Sequence, residues 1–337
     1  MRRVGALIVK PDAILKKQIS KIAVIIPCYK VKSFILEVLK DIGSEVSLII
    51  IIDDACPEKS GKFILENFSD PRLVLIEHEF NQGVGGATIS GYKRALESDC
   101  KYFVKLDGDG QMDPRQILRM TSPLRTGSAD YTKGNRYFDV EQMHRIPKIR
   151  LMGNLMLSFM SKFASGYWNV FDPNNGFTAI NRKTLESLPL DKVSKRYFFE
   201  SDMLFRLNLL GAVVKDVPMH PKYGEEVSGL NAFKSIFEFG YKHLRNFIKR
   251  IAYNYFLRDF NIASISILIG APLFCFGLIY GLFNFVHSIS LDRPTPPSSL
   301  ILVSVTVISG IQLLLNFFTF DIQNIPKDSF SIALEES

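Results

Sequence analysis

An α/β domain with a parallel sheet, followed by two membrane-spanning helices, is the fold class that this 337-residue sequence predicts. Three observations predict it. Short apolar runs alternate with helical stretches through the first third of the chain. The ends of these runs carry carboxylates or a glycine-rich loop. The C-terminal quarter holds two long stretches without a charge. The strands are expected at 22–26, 46–52, 73–76 and 102–106, separated by helices near 32–42, 58–67 and 86–97. A β-then-α rhythm gives a parallel sheet, and ligands of such sheets bind beyond the carboxyl ends of the strands.

The hydrophobic content, 47%, is high for a water-soluble chain, and the excess sits at the C-terminal end. No Asp, Glu, Lys or Arg occurs from 260 to 291, nor from 294 to 320. Each stretch supplies the roughly 20 apolar residues that cross a bilayer core. The spans are placed at about 262–286 and 299–320. The link between them, 288–298, is Pro-rich, whereas 231–259 carries six Lys or Arg against two acids. Basic residues beside a span stay in the cytoplasm, so the N-terminal domain and the C-terminal tail are expected there, with the link outside. The chain thus divides into a basic leader (1–20), a catalytic domain (21–230), an amphipathic interface region (231–259), two spans (260–322) and a tail (323–337).

Within the interface region Phe233, Phe237, Tyr241, Leu244, Ile248, Ile251 and Tyr255 recur at helical spacing beside a stripe of Lys and Arg. Such a helix suits the headgroup layer. The net charge of +7, with basic residues clustered there against a span, points to anionic lipid headgroups and away from nucleic acid. Four cysteines (Cys28, Cys56, Cys100, Cys275) without a Cys-x-x-Cys pair are expected to be reduced structural thiols with no zinc site.

The strand ends carry the chemistry. Asp107-Gly108-Asp109 closes the fourth apolar run, and Asp53-Asp54 closes the second. Two carboxylates one residue apart at a strand end can aim at a single hard cation that bridges them to nucleotide phosphates. Between the pairs lies Asn81-Gln82-Gly83-Val84-Gly85-Gly86. It lacks the third glycine of a dinucleotide fingerprint, since Thr88 stands there, and it follows the third strand. Its use is close approach of backbone to a diphosphate or ribose.

Taken in order, Ile25-Ile26-Pro27-Cys28-Tyr29, Ile52-Asp53-Asp54, Asn81 to Ala87, Asp107 to Gln111 with Pro114, Gly134-Asn135-Arg136 and Asp172-Pro173-x-x-Gly176-Phe177 resemble family-two glycosyltransferases of the GT-A fold. Within them the chain looks like the polyprenyl-phosphate glycosyltransferases, the dolichyl-phosphate mannose synthase group, over roughly 20–326. The two spans and the ending Phe320-Asp321-Ile322-Gln323-Asn324-Ile325-Pro326 resemble the bacterial and archaeal branch that glucosylates undecaprenyl phosphate.

The resemblance implies that Asp107, Asp109 and Gln111 surround magnesium or manganese. Pro27, Tyr29 and Asp54, with Asp53, Asn81, Gly83, Gly86 and Gly108 nearby, would hold the nucleotide sugar, and Glu200 and Asp202 match the acidic helix start beneath the sugar. Arg136 and Arg150 match the two arginines that grip a lipid phosphate, and Asn154 stands where the family often has Ser. After Pro218 the family's basic stretch is replaced by Lys222 to Ser228. Asp172 positions the acceptor or orients an arginine; an Asp-Pro turn is the plain alternative. Trp168, Phe163, Tyr167 and Phe171 suit an acceptor path near the headgroups or an ordinary core.

The chemistry agrees with that set. Departure of a nucleotide diphosphate needs its growing charge neutralised, which a divalent cation does. A lipid phosphate is already an anion, so it needs a cationic clamp more than a base, and Arg suits bidentate phosphate binding. The expected reaction is inverting transfer of one sugar from UDP-glucose or a UDP-N-acetylhexosamine to undecaprenyl or dolichyl phosphate. A GDP-mannose donor is the alternative, and self-association is left open. A processive polysaccharide synthase would need a Gln-x-x-Arg-Trp motif, but the one Trp follows Ser165-Gly166-Tyr167. A non-catalytic scaffold or flippase subunit need not retain Asp107, Asp109, Gln111, Arg136 and Arg150 together, and a sugar nucleotidyltransferase needs no lipid anchor.

Overall fold

A computed structural model describes residues 21–138, 148–220 and 232–336. The leader 1–20 and the stretch 222–228 lie outside the described residues. The chain forms two units, one of residues 1–246 with 326–337 and one of residues 247–325.

In the first unit the four anticipated strands are present: β1 (Ile22–Cys28), β2 (Val46–Asp53), β3 (Leu73–Glu77) and β4 (Tyr102–Lys105). They pair in parallel. Helices α1 (Ile35–Lys40), α2 (Ser60–Asn67) and α3 (Val84–Leu96) connect β1 to β2, β2 to β3 and β3 to β4. β1 is buried along its whole length, and so is β2 from Ile49 to Asp53, because helices cover both faces of a parallel sheet.

After α4 (Ile117–Arg125) the sheet gains β5 (Tyr131–Asn135), β6 (Thr178–Asn181) and β7 (Val214–Pro218), giving the order β3-β2-β1-β4-β6-β5-β7. β6 runs antiparallel to β4 and β5, so the sheet is mixed beyond the four parallel strands. Helices α5 (Lys148–Ser165), α6 (Arg182–Ser187) and α7 (Phe199–Leu210) accompany this half.

The tail returns to the first unit. Asp130, just ahead of β5, accepts the Ser329 hydroxyl (2.7 Å) and the Phe330 and Ser331 amides (2.8 and 3.0 Å), together with the Val213 amide (2.8 Å).

Helix α8 (Ala232–Ala252) begins in the first unit and ends in the second. Tyr241, Leu244 and Ile248 are exposed, whereas Ile251 and Tyr255 are buried; the side chains of Phe233 and Phe237 lie outside the described residues. The second unit holds α9 (Ile262–Leu291) and α10 (Pro297–Gln323), both long and apolar enough to cross a membrane. Asn316 donates to Ser266 between them at 2.9 Å. Near the end of α10, buried Asp321 takes both forks of buried Arg250 (2.6 and 3.0 Å) and the Tyr255 hydroxyl (2.6 Å). A buried pair of this kind persists only when every charge is matched in this way. All four cysteines are free thiols, three of them buried.

Candidate active site

The carboxyl ends of β1, β2 and β4 open onto a cavity of about 480 Å³. Pro27, Tyr29, Asp54, Asn81, Gly83, Asp107, Gly108 and Asp109 line it. The sequence reading also named Asp53, Gly86, Gln111, Glu200 and Asp202, which do not line it.

The two adjacent carboxylates, Asp53 at the end of β2 and Asp54 just beyond it, divide their work, as successive side chains of extended backbone face opposite ways. Asp53 accepts the Cys56 and Gly61 amides (2.7 and 2.6 Å) and shapes the turn into α2. Asp54 accepts the Gln82 and Gly83 amides (2.9 and 2.8 Å) and His78 Nδ1 (2.7 Å), so it pins the glycine-rich loop to the cavity wall. His78 Nε2 lies 2.9 Å from the Ser90 hydroxyl, so with its proton on Nδ1 the ring accepts from Ser90 while donating to Asp54. Gly83 has φ of 84°, a left-handed backbone that glycine adopts without strain. Cys28, paired in register with Asp53, stays a thiol: burial first, then the charge of Asp53, pushes its pKa up.

Asp109 accepts the Gln111 amide at 3.0 Å, which curls the loop after β4. Asp107 is held from behind by Lys105, a fully buried ammonium bonded to Asp107 (2.8 Å), Glu200 (3.2 Å) and the Gly176 carbonyl (3.3 Å). Burial opposes the charge of Lys105, yet Asp107 and Glu200 together raise its pKa above the ordinary lysine value. A Cβ on Gly176 would lie 2.2 Å from Asp107 Oδ2 and 2.7 Å from Lys105 Nζ, so only glycine fits. Lys105 went unremarked in the sequence. A lysine inside Tyr-Phe-Val-Lys-Leu was the available signal, since a charge in a buried strand requires partners.

Lys133 provides the contrast. It shares a register row with Thr178 and Lys105, but its ammonium bonds the Asn175 carbonyl (2.7 Å), and burial pulls its pKa down to about 8.

Farther along the sheet, Arg136 and Asp172 form a two-pronged pair, Nε to Oδ2 at 2.7 Å and Nη2 to Oδ1 at 3.1 Å, with Asp172 buried. Arg150 and Asn154 fall on α5, but their side chains lie outside the described residues. On the described part of α5, Met152, Leu155, Met156 and Phe159 are exposed, and the rings of Phe159, Phe163 and Trp168 meet edge-on or tilted near 6 Å. Tyr167 belongs to the core instead: it is buried and donates to the Ala212 carbonyl at 2.5 Å. Asp202 is buried too, accepting the Ser194 amide (2.9 Å), Arg206 (3.1 Å) and Asn246 of α8 (3.1 Å).

Asp216 on β7 sits behind the Arg136–Asp172 pair. One oxygen accepts the Phe171 amide (2.7 Å) and Asn135 (3.1 Å); the other is buried without a partner among the described residues. Burial pushes its pKa from 3.8 up to about 6, the Phe171 amide opposing the rise and the Asp172 charge adding to it. A raised acid favours the folded state only when protonated. Its charge therefore costs stability above about pH 6, and the cost is relieved as pH falls from 6 toward 4. We expect Asp216→Asn to raise stability at pH 7.5 by on the order of 1–3 kcal/mol, with the gain shrinking below pH 5. Thermal unfolding at the two pH values checks this; no gain at pH 7.5 would contradict it.

Among the described residues no group of three His, Cys, Asp or Glu side chains gathers to hold a metal. Asp107 and Asp109 nevertheless present hard oxygen donors on the cavity. Magnesium and manganese are commonly held by one or two carboxylates, with phosphate and water completing the shell, and the residues present fit that arrangement.

Carboxylates and a glycine-rich loop thus meet on one cavity at the strand ends of an α/β sheet, and comparison with known proteins places the chain. Residues 23–188 match the sequence profile of glycosyl transferase family 2. The UDP-N-acetylglucosamine–dolichyl-phosphate N-acetylglucosaminyltransferase of Methanococcus voltae is 30% identical over 218 residues, which are 60% of this chain and 86% of that protein. The chain belongs to glycosyltransferase family 2. Another member, the undecaprenyl-phosphate mannosyltransferase of Micrococcus luteus, is 31% identical over 204 residues, 59% of this chain and 82% of that one. The GT-A fold of the family is also that of glucosyl-3-phosphoglycerate synthase from Mycobacterium tuberculosis, solved with Mn2+, UDP and glucosyl-3-phosphoglycerate. The TM-score is 0.52 at 16% identity, covering 74% of this chain and 86% of that one.

Proposed function

We propose that this family-two enzyme is a membrane-anchored polyprenyl-phosphate glycosyltransferase, moving one sugar from a nucleotide sugar to undecaprenyl or dolichyl phosphate with inversion. The carrying observation is one chain that combines strand-end carboxylates on a nucleotide-sized cavity, an Arg136–Asp172 pair farther along the same sheet, and two long apolar helices. Relatives that use different sugars share a lipid phosphate as acceptor, which supports the acceptor more strongly than the donor. UDP-glucose or a UDP-N-acetylhexosamine is the favoured donor. The mannosyl relative keeps GDP-mannose as the second reading.

In this reading Pro27, Tyr29, Asp54, Asn81 and Gly83 hold the base and ribose. Asp107, Asp109 and Gln111 would hold magnesium or manganese, which when bound neutralises charge on the leaving diphosphate. Lys105 fixes the Asp107 carboxylate, with Glu200 as its second anchor. Arg136 and Arg150, with Asn154, clamp the lipid phosphate. The edge that Asp172 takes orients the Arg136 guanidinium, the group type that suits phosphate oxygens. A phosphate oxygen of the acceptor attacks the anomeric carbon while that carbon's bond to the diphosphate oxygen breaks. The acceptor is anionic already, so no strong base is needed. The exposed apolar residues of α5 suit a lipid acceptor, and α8 lies in the headgroup layer with Tyr241 and Leu244 outward.

The catalytic domain and the tail are both cytoplasmic in this account. The tail bonds to Asp130 of the domain, and two crossings return the chain to its starting side. Cysteine placed at Ser290 should therefore react with a membrane-impermeant reagent from outside only, and labelling from the cytoplasmic side alone would overturn the topology. The donor is tested by incubating purified protein with polyprenyl phosphate and a panel of labelled nucleotide sugars. One UDP-sugar should label the lipid; labelling from GDP-mannose alone would select the second reading.

A further inference from the structure

We infer that Arg196 is a donor-binding residue whose guanidinium grips the diphosphate of the nucleotide sugar. The inference rests on the donor-site reading above and adds a residue to it. The cavity is lined by three carboxylates, Asp54, Asp107 and Asp109, while the ligand it is built for carries a diphosphate. Cations are needed beside them, and Arg196 and Lys30 are the two that line the cavity among the described residues.

Among the described residues the side chain of Arg196 makes no hydrogen bond or ion pair, but the backbone that carries it is fixed on two sides. Below it, buried Asp202 accepts the Ser194 amide at 2.9 Å and is itself held by Asn246 at 3.1 Å. Beside it, the glycine-rich loop donates from the Gly86 amide to the Lys195 carbonyl at 2.8 Å. The two loops pack so closely that a Cβ on Gly83 would lie 2.8 Å from that carbonyl and 3.0 Å from Arg196 Cγ. A rigid mount with an uncommitted cation at its tip is a binding device. An arginine held only for structure would have spent its donors on the protein.

The chemistry selects the ligand. A planar fork of N–H groups matches phosphate oxygens two at a time, and a fixed cation at the leaving group gains strength as charge develops there. The same loop places exposed Tyr197 on the cavity, which exposed Tyr29 also lines.

The experiment is calorimetric titration of the full chain in detergent, with manganese, using UDP, GDP and the corresponding monophosphates. Arg196→Ala should weaken diphosphate binding roughly 10- to 100-fold and change monophosphate binding much less. Arg196→Lys should fall between, and the unfolding midpoint of both variants should match the parent. Equal diphosphate affinity in the parent and in Arg196→Ala would overturn the inference while leaving the donor site standing. A parent chain that binds no nucleoside diphosphate would overturn the donor-site reading and this inference with it.

Discussion

Replacing Asp109 with alanine is expected to lower sugar transfer by roughly 10³-fold or more, and EDTA should do the same to the unaltered protein. The loss follows from charge. A departing nucleotide diphosphate carries several negative charges, and its exit stalls unless a divalent cation held at the end of β4 offsets them. The variant should fold normally, because Asp109 lies in a partly exposed loop, where its carboxylate accepts the Gln111 amide. Activity retained in rigorously metal-free buffer would sink the metal assignment. An unfolding midpoint that dropped with activity would move Asp109 from chemistry to architecture.

The second large effect is expected at Arg136, on the acceptor side. Arg136→Ala should weaken use of polyprenyl phosphate by about 2–4 kcal/mol, as loss of a charge-assisted two-pronged contact from a partly desolvated site predicts. Nucleotide-sugar affinity should barely move. Lysine should rescue only in part, since a point charge reproduces neither the phosphate fork nor the paired bonds to Asp172. Acceptor-dependence kinetics beside calorimetry with the nucleotide sugar decides the matter. Loss of nucleotide binding with ordinary acceptor dependence would mean that the two subsites are reversed.

The parallel half of the sheet was legible because its strands are apolar runs ending in polar residues. The mixed half was not. β5 reads Tyr-Thr-Lys-Gly-Asn and β6 reads Thr-Ala-Ile-Asn, and neither alternates or carries enough apolar residues to stand out. Two pairs of site residues could have been sorted from the sequence by geometry alone. Adjacent Asp53 and Asp54 at a strand end face opposite ways, and Glu200 and Asp202, two apart on a helix, cannot share a face. The structure separates both pairs, turning Asp54 to the cavity and Asp202 to the Ser194 loop. Arg196 and Tyr197 gave no signal because they belong to a loop, where no periodicity reports orientation. The return of Ser329 to Asp130 joins residues 199 positions apart, which no local pattern encodes.

The central claim, sugar transfer to a lipid phosphate, is tested most directly by one partition experiment. Purified protein in proteoliposomes receives the labelled donor, manganese, polyprenyl phosphate and 3-phosphoglycerate together, and the products are separated between organic and aqueous phases. The account predicts label in the organic phase, dependent on polyprenyl phosphate and unaffected by omitting phosphoglycerate. Label carried on phosphoglycerate in water, with none on the lipid, would contradict it.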